Sequence, residues 1–155
     1  MIYLGADHAG FELKEEIKKY LLDEKFEVED LGAFSLDKDD DYPDFIIPVA
    51  KNVALRQAQG ENDPSTTFGI VFGGSGQGEA IAANKIKGIR ACVYYGGPLE
   101  IIKLSRAHNN ANILSLGARF LTLEQAKEAV KLWLDTPFEG GRHERRIEEI
   151  KEIEN

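Results

Sequence analysis

The chain has 155 residues, 43% of them hydrophobic, enough for one globular domain that hides roughly 70% of its unfolded surface without a disulfide staple. Its 27 acidic and 19 basic residues give a net charge of −8, which excludes the broad basic surface that nonspecific nucleic-acid binding requires. A single cysteine, no apolar run near the ~20 residues that span a bilayer, and an opening (MIYLGADHAG) without a basic segment followed by an apolar stretch predict a cytoplasmic protein with no signal peptide, membrane contact or internal disulfide.

No repeat, low-complexity tract or linker divides the sequence, so one domain over residues 1–155 is expected. Ile2–Ala6 is a short apolar run, and Leu13, Ile17 and Leu21 then recur at four-residue spacing, as on one helix face. Phe26–Leu31 alternates with period two before Gly32. Asp44–Ala58 reads as a second helix that Pro48 either bends or joins within its first turns. Phe68–Phe72 is continuously apolar and enters a glycine cluster, after which Glu79–Ile86 reads as helix. Ile89–Tyr95 reads as a strand, Leu99–Arg106 as a helix and Ile113–Leu116 as a fifth strand. Thr122 and Gln125 form a capping box for the next helix, which carries Ala126, Val130 and Trp133. A last helix, about 141–154, follows Gly140-Gly141.

Apolar strands alternating with helices predict a three-layer α/β/α Rossmann-like sandwich around a five-stranded parallel sheet. Right-handed crossovers then put the loops after the strands on one edge, where ligands of open α/β sheets bind. Asp7 and His8 after strand one, the glycines after strand three and Gly117–Arg119 after strand five all converge there.

The glycine cluster is Gly73-Gly74-Ser75-Gly76-Gln77-Gly78-Glu79. It fits neither the dinucleotide fingerprint nor a Walker loop, since no register supplies the required glycines and no lysine follows Gly78. Its backbone N–H groups can still face one space at a helix start, as an anion or oxyanion site; a tight strand-to-helix turn is the plain alternative. Glu79 is either a helix-start carboxylate or a base adjacent to an oxyanion site.

His8, His108 and His143 show no zinc spacing, and proton transfer or phosphate contact suits them better. The last helix opens with Arg142, His143, Arg145 and Arg146 and closes on glutamates, against the preference of the helix dipole. Arg142 and Arg146 share a face at i,i+4, as a phosphate grip or as a solvated basic patch. The stripe of Ile147, Ile150 and Ile153 predicts docking on its own domain or on a partner. The acidic run Asp37–Asp41 fails the calcium-loop pattern and reads as a solvated loop. Cys92, mid-strand, reads as a small buried hydrophobe.

Several segments together resemble the type B ribose-5-phosphate isomerases and related sugar-phosphate isomerases. They are Gly5-Ala6-Asp7-His8-Ala9-Gly10-Phe11, Asp41-Tyr42-Pro43, the glycine loop with Ile81-Ala82-Ala83-Asn84-Lys85, Gly88-Ile89-Arg90-Ala91, Ser105-Arg106-Ala107-His108-Asn109 and Glu139-Gly140-Gly141-Arg142-His143. The resemblance implies interconversion of ribose 5-phosphate and ribulose 5-phosphate through a cis-enediolate, with no metal or cofactor. It gives His108 the opening of the furanose ring, with Asp7 orienting polar groups. His8, Arg119, Arg142 and Arg146 match phosphate contacts, and Tyr42 and Asn109 match sugar contacts. Ser75, with loop N–H groups around Gly74, Gly76 and Gly78, matches the enediolate stabiliser. Many relatives carry a catalytic cysteine where this chain has Gly73; the chain instead resembles the subgroup whose base is the glutamate, here Glu79. The resemblance also implies a homodimer or dimer of dimers with sites shared between subunits, Arg142 and Arg146 serving the partner. Two alternatives stand beside it: a six-carbon substrate such as allose or galactose 6-phosphate, and a noncatalytic phosphosugar- or nucleotide-binding module.

Overall fold

A computed structural model describes residues 1–59 and 67–154. The chain runs β1 (Ile2–Ala6), α1 (Phe11–Asp23), β2 (Val28–Asp30), α2 (Pro43–Gln59), β3 (Phe68–Gly73), α3 (Gln77–Ala83), β4 (Ala91–Tyr94), α4 (Glu100–Ala107), β5 (Ile113–Gly117), α5 (Leu123–Asp135) and α6 (Arg142–Ile153). All strand pairs are parallel, in the order β2-β1-β3-β5-β4. This is the expected α/β architecture. None of the described helices is long and apolar enough to cross a membrane.

The period-two geometry of the strands sorts the core into two layers. Ile2, Leu4, Ile70, Phe72, Leu114 and Leu116 pack with Ile17 and Leu21 of α1, Ile102 of α4 and Val130 and Trp133 of α5. Tyr3, Val71 and Ile113 face the other way, onto Ile46, Val49, Ala50 and Val53 of α2 and Ala83 of α3. The capping box at Thr122 forms as predicted: its Oγ1 accepts the Gln125 N–H at 3.2 Å, and Gln125 Oε1 accepts the Thr122 N–H at 2.9 Å. Pro48 lies in the second turn of α2.

Three elements differ from the sequence reading by two residues or more at one end or both. The second strand is only Val28–Asp30, because the Phe26 N–H donates to the Leu21 carbonyl and keeps that residue in the turn closing α1. Helix α3 covers Gln77–Ala83 rather than Glu79–Ile86. Beyond it, the Asn84 side chain accepts the Ala91 N–H at 2.7 Å and donates to the Ala91 carbonyl at 3.0 Å, which ties the chain to the start of β4. That strand accordingly begins at Ala91, two residues later than its apolar run.

Ala6 aligns with Phe72, and Gly73 with Gly117, so the chain leaves β1, β3 and β5 side by side. Strand order reverses between β1 and β3, where a crevice opens at the carboxyl edge. Gly10 lets α1 start against this edge, because a methyl group there would fall on the Phe72 backbone. Gly10→Ala should therefore cost about 1–3 kcal/mol of stability through overpacking, read as a lower urea midpoint.

Candidate active site

The crevice holds a cavity of about 220 Å3 lined by Asp7, His8, Ala9, Tyr42, Gly74, Ser75, Gly78, Glu79 and Arg119. Eight of these nine residues were singled out in the sequence; Ala9 was not. The volume falls below the roughly 300–1,000 Å3 typical of ligand pockets.

Asp7 ends β1 and folds the next turn. Its Oδ1 accepts the N–H groups of Ala9 at 3.0 Å and Gly10 at 3.1 Å. Across the crevice, Ala118 and Arg119 donate backbone N–H groups to the carbonyls of Gly73 and Gly74 at 2.8 and 3.1 Å, holding the β5 exit against the glycine loop. Glycine at 74 leaves room for the Arg119 guanidinium, and glycine at 78 leaves room for the Tyr42 phenol; an added methyl group would crowd each. Gly76 lies under the loop rather than on the cavity wall. It adopts φ +76°, and its carbonyl accepts the Ser115 hydroxyl at 2.7 Å. Ser75 is exposed, and its Oγ accepts the Gln77 N–H at 3.3 Å.

Glu79 is 4% exposed, in the first turn of α3. Its carboxylate occupies the space that any side chain at position 73 would fill. Burial raises its pKa above the ordinary carboxylate value and Asp7 adds to this, while a backbone N–H bond opposes it. It is thus a poorly solvated carboxylate beside the open N–H groups of a helix start, the combination expected of a general base.

His108, Asn109, Arg142 and Arg146 lie elsewhere. His108 follows α4 and precedes β5, so it belongs to the amino edge of the sheet; nearby, the Asn112 carbonyl accepts the N–H of Gly69 in β3. At about 3.3 Å per residue, the length of β5 puts roughly 15 Å between that edge and the cavity. His108 and Asp7 therefore do not share a site within one chain. The amino edge is ordered in its own right. The rings of His108 and His143 stack at 4.1 Å, with Glu139 Oε2 3.6 and 3.9 Å from their Nε2 atoms. Burial lowers the His143 pKa, and His108, Arg142 and Arg146 lower it further. Arg106, buried over the Phe68 and Trp133 rings, donates to the Asn110 side chain at 2.9 Å and to the Ala111 carbonyl at 2.6 Å, which fixes the loop carrying His108 and Asn109. Helix α6 crosses this edge, and its far end is held where Glu154 accepts the Gly88 N–H at 3.0 and 3.1 Å. Among the described residues, Arg119, Arg142 and Arg146 form no ion pair with a carboxylate, so each is available to an anion.

Among the described residues, two groups bring possible metal donors together: His108 with Glu139 and His143, and Asp7 with His8 and Asp40. Arg142 and Arg146 make the first a poor cation site. In the second, His8 Nδ1 and Asp40 Oδ1 already share a hydrogen bond at 2.7 Å. Sequence spacing gave no sign of the His108–His143 stack, of Asp40 reaching His8, or of the buried Arg106. Cys92 is half-buried, and burial pushes its thiol pKa up, which makes it a poor nucleophile.

The chain matches the family model described as Ribose/Galactose Isomerase over residues 2–150. It is 43% identical over 154 residues to ribose-5-phosphate isomerase B of Mycobacterium leprae, covering 99% of this chain and 89% of that protein. To ribose-5-phosphate isomerase B of Escherichia coli it is 45% identical over 153 residues, covering 99% and 95%. The solved structure of ribose-5-phosphate isomerase B from Mycoplasma genitalium, with bound ribulose-5-phosphate, superposes with a TM-score of 0.88 at 38% identity, covering 99% of this chain and 95% of that one.

A buried carboxyl group with a raised pKa binds its proton more tightly in the folded than in the unfolded state. Its contribution is therefore most favourable at low pH and becomes unfavourable as pH rises above the unfolded value of about 4.3. Glu79→Gln should unfold at a higher temperature than the native protein at pH 7, and the difference should shrink toward pH 4 in calorimetry.

Proposed function

The chain belongs to the ribose/galactose isomerase family, and on that premise we propose that it interconverts ribose 5-phosphate and ribulose 5-phosphate with Glu79 as the base. The observation that carries this reading is the Glu79 carboxylate, buried over side-chain-free Gly73 at the floor of a cavity whose wall also holds Ser75, His8 and Arg119. With the open-chain aldose in the cavity, Glu79 takes the proton from C2, the electron pair moves to O1, and a cis-enediolate forms. A proton then passes from O2 to O1, and as the O2 electron pair forms the C2 carbonyl, Glu79 returns its proton to C1 and the ketose results. Ser75 and the N–H groups of the glycine loop stabilise the oxygen on which charge develops. Tyr42 contacts the sugar, while Arg119 and His8 hold the phosphate, so that remote binding fixes the reacting carbons. Asp7 keeps the β1 exit in shape beside them.

The opening of the furanose ring belongs to His108, and the amino edge that carries it is the second half of the site. In this reading two copies associate, so that His108, Asn109, Arg142 and Arg146 of the partner subunit close the cavity of the first. Three features support a dimer: the open cavity, the unpaired arginines at the other edge, and the apolar groups left uncovered beside both halves. Phe120 next to Arg119 is 61% exposed, and of the three isoleucines in the α6 stripe only Ile147 is buried, while Ile150 and Ile153 are 49% and 85% exposed. The stripe on α6 thus docks through its first member and presents the other two.

Turnover of ribose 5-phosphate by the purified protein tests the activity directly. Glu79→Gln should lower kcat by at least about 10²-fold with KM little changed, since it removes the proton carrier and keeps the shape. Near-native kcat in that variant would exclude Glu79 as the base. Subunit sharing makes a separate prediction: mixing inactive Glu79→Gln and inactive His108→Asn subunits should restore roughly a quarter of native activity, because each mixed dimer contains one intact site. No recovery after confirmed subunit exchange would place both residues in the same subunit's site.

A further inference from the structure

The acidic run Asp37–Asp41 has the charge pattern of a solvated loop, yet one member turns inward. The Asp40 side chain is only 8% exposed, against 30% for the His8 side chain it meets. Its Oδ1 accepts two hydrogen bonds from His8, from the backbone N–H at 3.0 Å and from ring Nδ1 at 2.7 Å. Its Oδ2 is buried and has no hydrogen-bond partner among the described residues. His8 lines the cavity and Asp40 does not, so the carboxylate stands behind the ring.

We propose that Asp40 is a positioning residue for His8, holding it as an imidazolium whose Nε2–H is left to the cavity as a donor for the substrate's phosphate. The inference rests on the reading of His8 as a phosphate contact. A phosphate oxygen offers only lone pairs. An imidazole whose Nδ1–H is committed to Asp40 therefore binds phosphate through Nε2 only when that nitrogen is also protonated. A carboxylate with one unsatisfied buried oxygen favours that cation, since among the described residues the ring is the only titratable group that hydrogen-bonds to it. Around the ring, Asp7 also favours the cation and Arg119 opposes it, with Glu79 farther along the same cavity wall. The Asp40 hydrogen bond is the largest influence, and the His8 pKa lies above its ordinary 6.5. A phosphate ester loses its second proton near pH 6, so the pair keeps the histidine charged where the ligand is a dianion.

The test compares native protein, Asp40→Asn, His8→Gln and the double variant. The His8 ring is titrated by NMR in ligand-free protein, assigned through the signal missing in His8→Gln. KM and kcat for ribose 5-phosphate are measured at pH 6 and pH 8. Asp40→Asn should lower the His8 pKa and raise KM several-fold at pH 8 but less than about twofold at pH 6, with kcat held at both. In the His8→Gln background the same substitution should change KM at neither pH. An unmoved His8 titration would overturn the proposal, as would equal KM increases at both pH values, which signal general loosening. A lowered His8 pKa with unchanged KM would overturn it by removing His8 from the phosphate site, while leaving Glu79 chemistry untouched. If the native protein did not turn over ribose 5-phosphate, the isomerase reading would fail by itself. Inorganic phosphate binding to native protein and Asp40→Asn, followed through the same NMR signal, would then test the pair, and equal affinities at pH 8 would overturn it.

Discussion

In a sheet whose strands all run one way, residues that precede a strand and residues that follow it belong to opposite edges, and no side chain spans the distance between them. β5 imposes this separation here. Arg119 leaves it at the edge where Asp7 and the glycine loop emerge, while His108 and Asn109 enter it at the other, beside the first turn of α6. Both edges are well built: backbone bonds knit the first together, and Arg106, sandwiched against Phe68 and Trp133, anchors the second. An isolated chain thus carries two preformed surfaces that only another molecule can bring face to face. The helix with the reversed charge order follows from the same constraint. Its basic turn is unfavourable for the helix itself, and in the dimer proposed above it faces a second copy.

Within the carboxyl edge, the chemistry is governed by how each acid is solvated. Asp7 has its Oδ1 occupied by two backbone N–H groups and serves the turn. Glu79, a few residues into a short helix, has lost most of its water, so its charge is costly in the resting protein and its affinity for a proton is raised. Asp40 is different again, since its charge is spent on a histidine ring. Three carboxylates of similar intrinsic acidity therefore take three roles because their neighbours differ.

Much of this was legible in the residues. Apolar strands alternating with helices implied a parallel sheet and, through crossover handedness, which loops share an edge; Asp7, His8, Gly74, Ser75, Gly78, Glu79 and Arg119 meet there as that rule requires. The capping box at Thr122 was readable because it is local, two side chains answering two N–H groups three residues apart. Strand order was not readable, since it depends on which faces pack and not on any one segment. The same holds for Asp40, whose partner is 32 residues away and whose neighbours in sequence really are solvated. The His108–His143 stack depends on the path of α5 back across the molecule, which spacing cannot register. Helix α3 ended early because Asn84 prefers the β4 backbone, a competition between local and distant bonds that periodicity does not weigh.

The mutual exclusion of a side chain at 73 and the Glu79 carboxylate has an evolutionary consequence. Any residue larger than glycine at 73 must push the acid aside, so a change at one position alters what the other can do. The two positions should therefore vary together among relatives, with a side chain at 73 and glutamate at 79 seldom found in one chain.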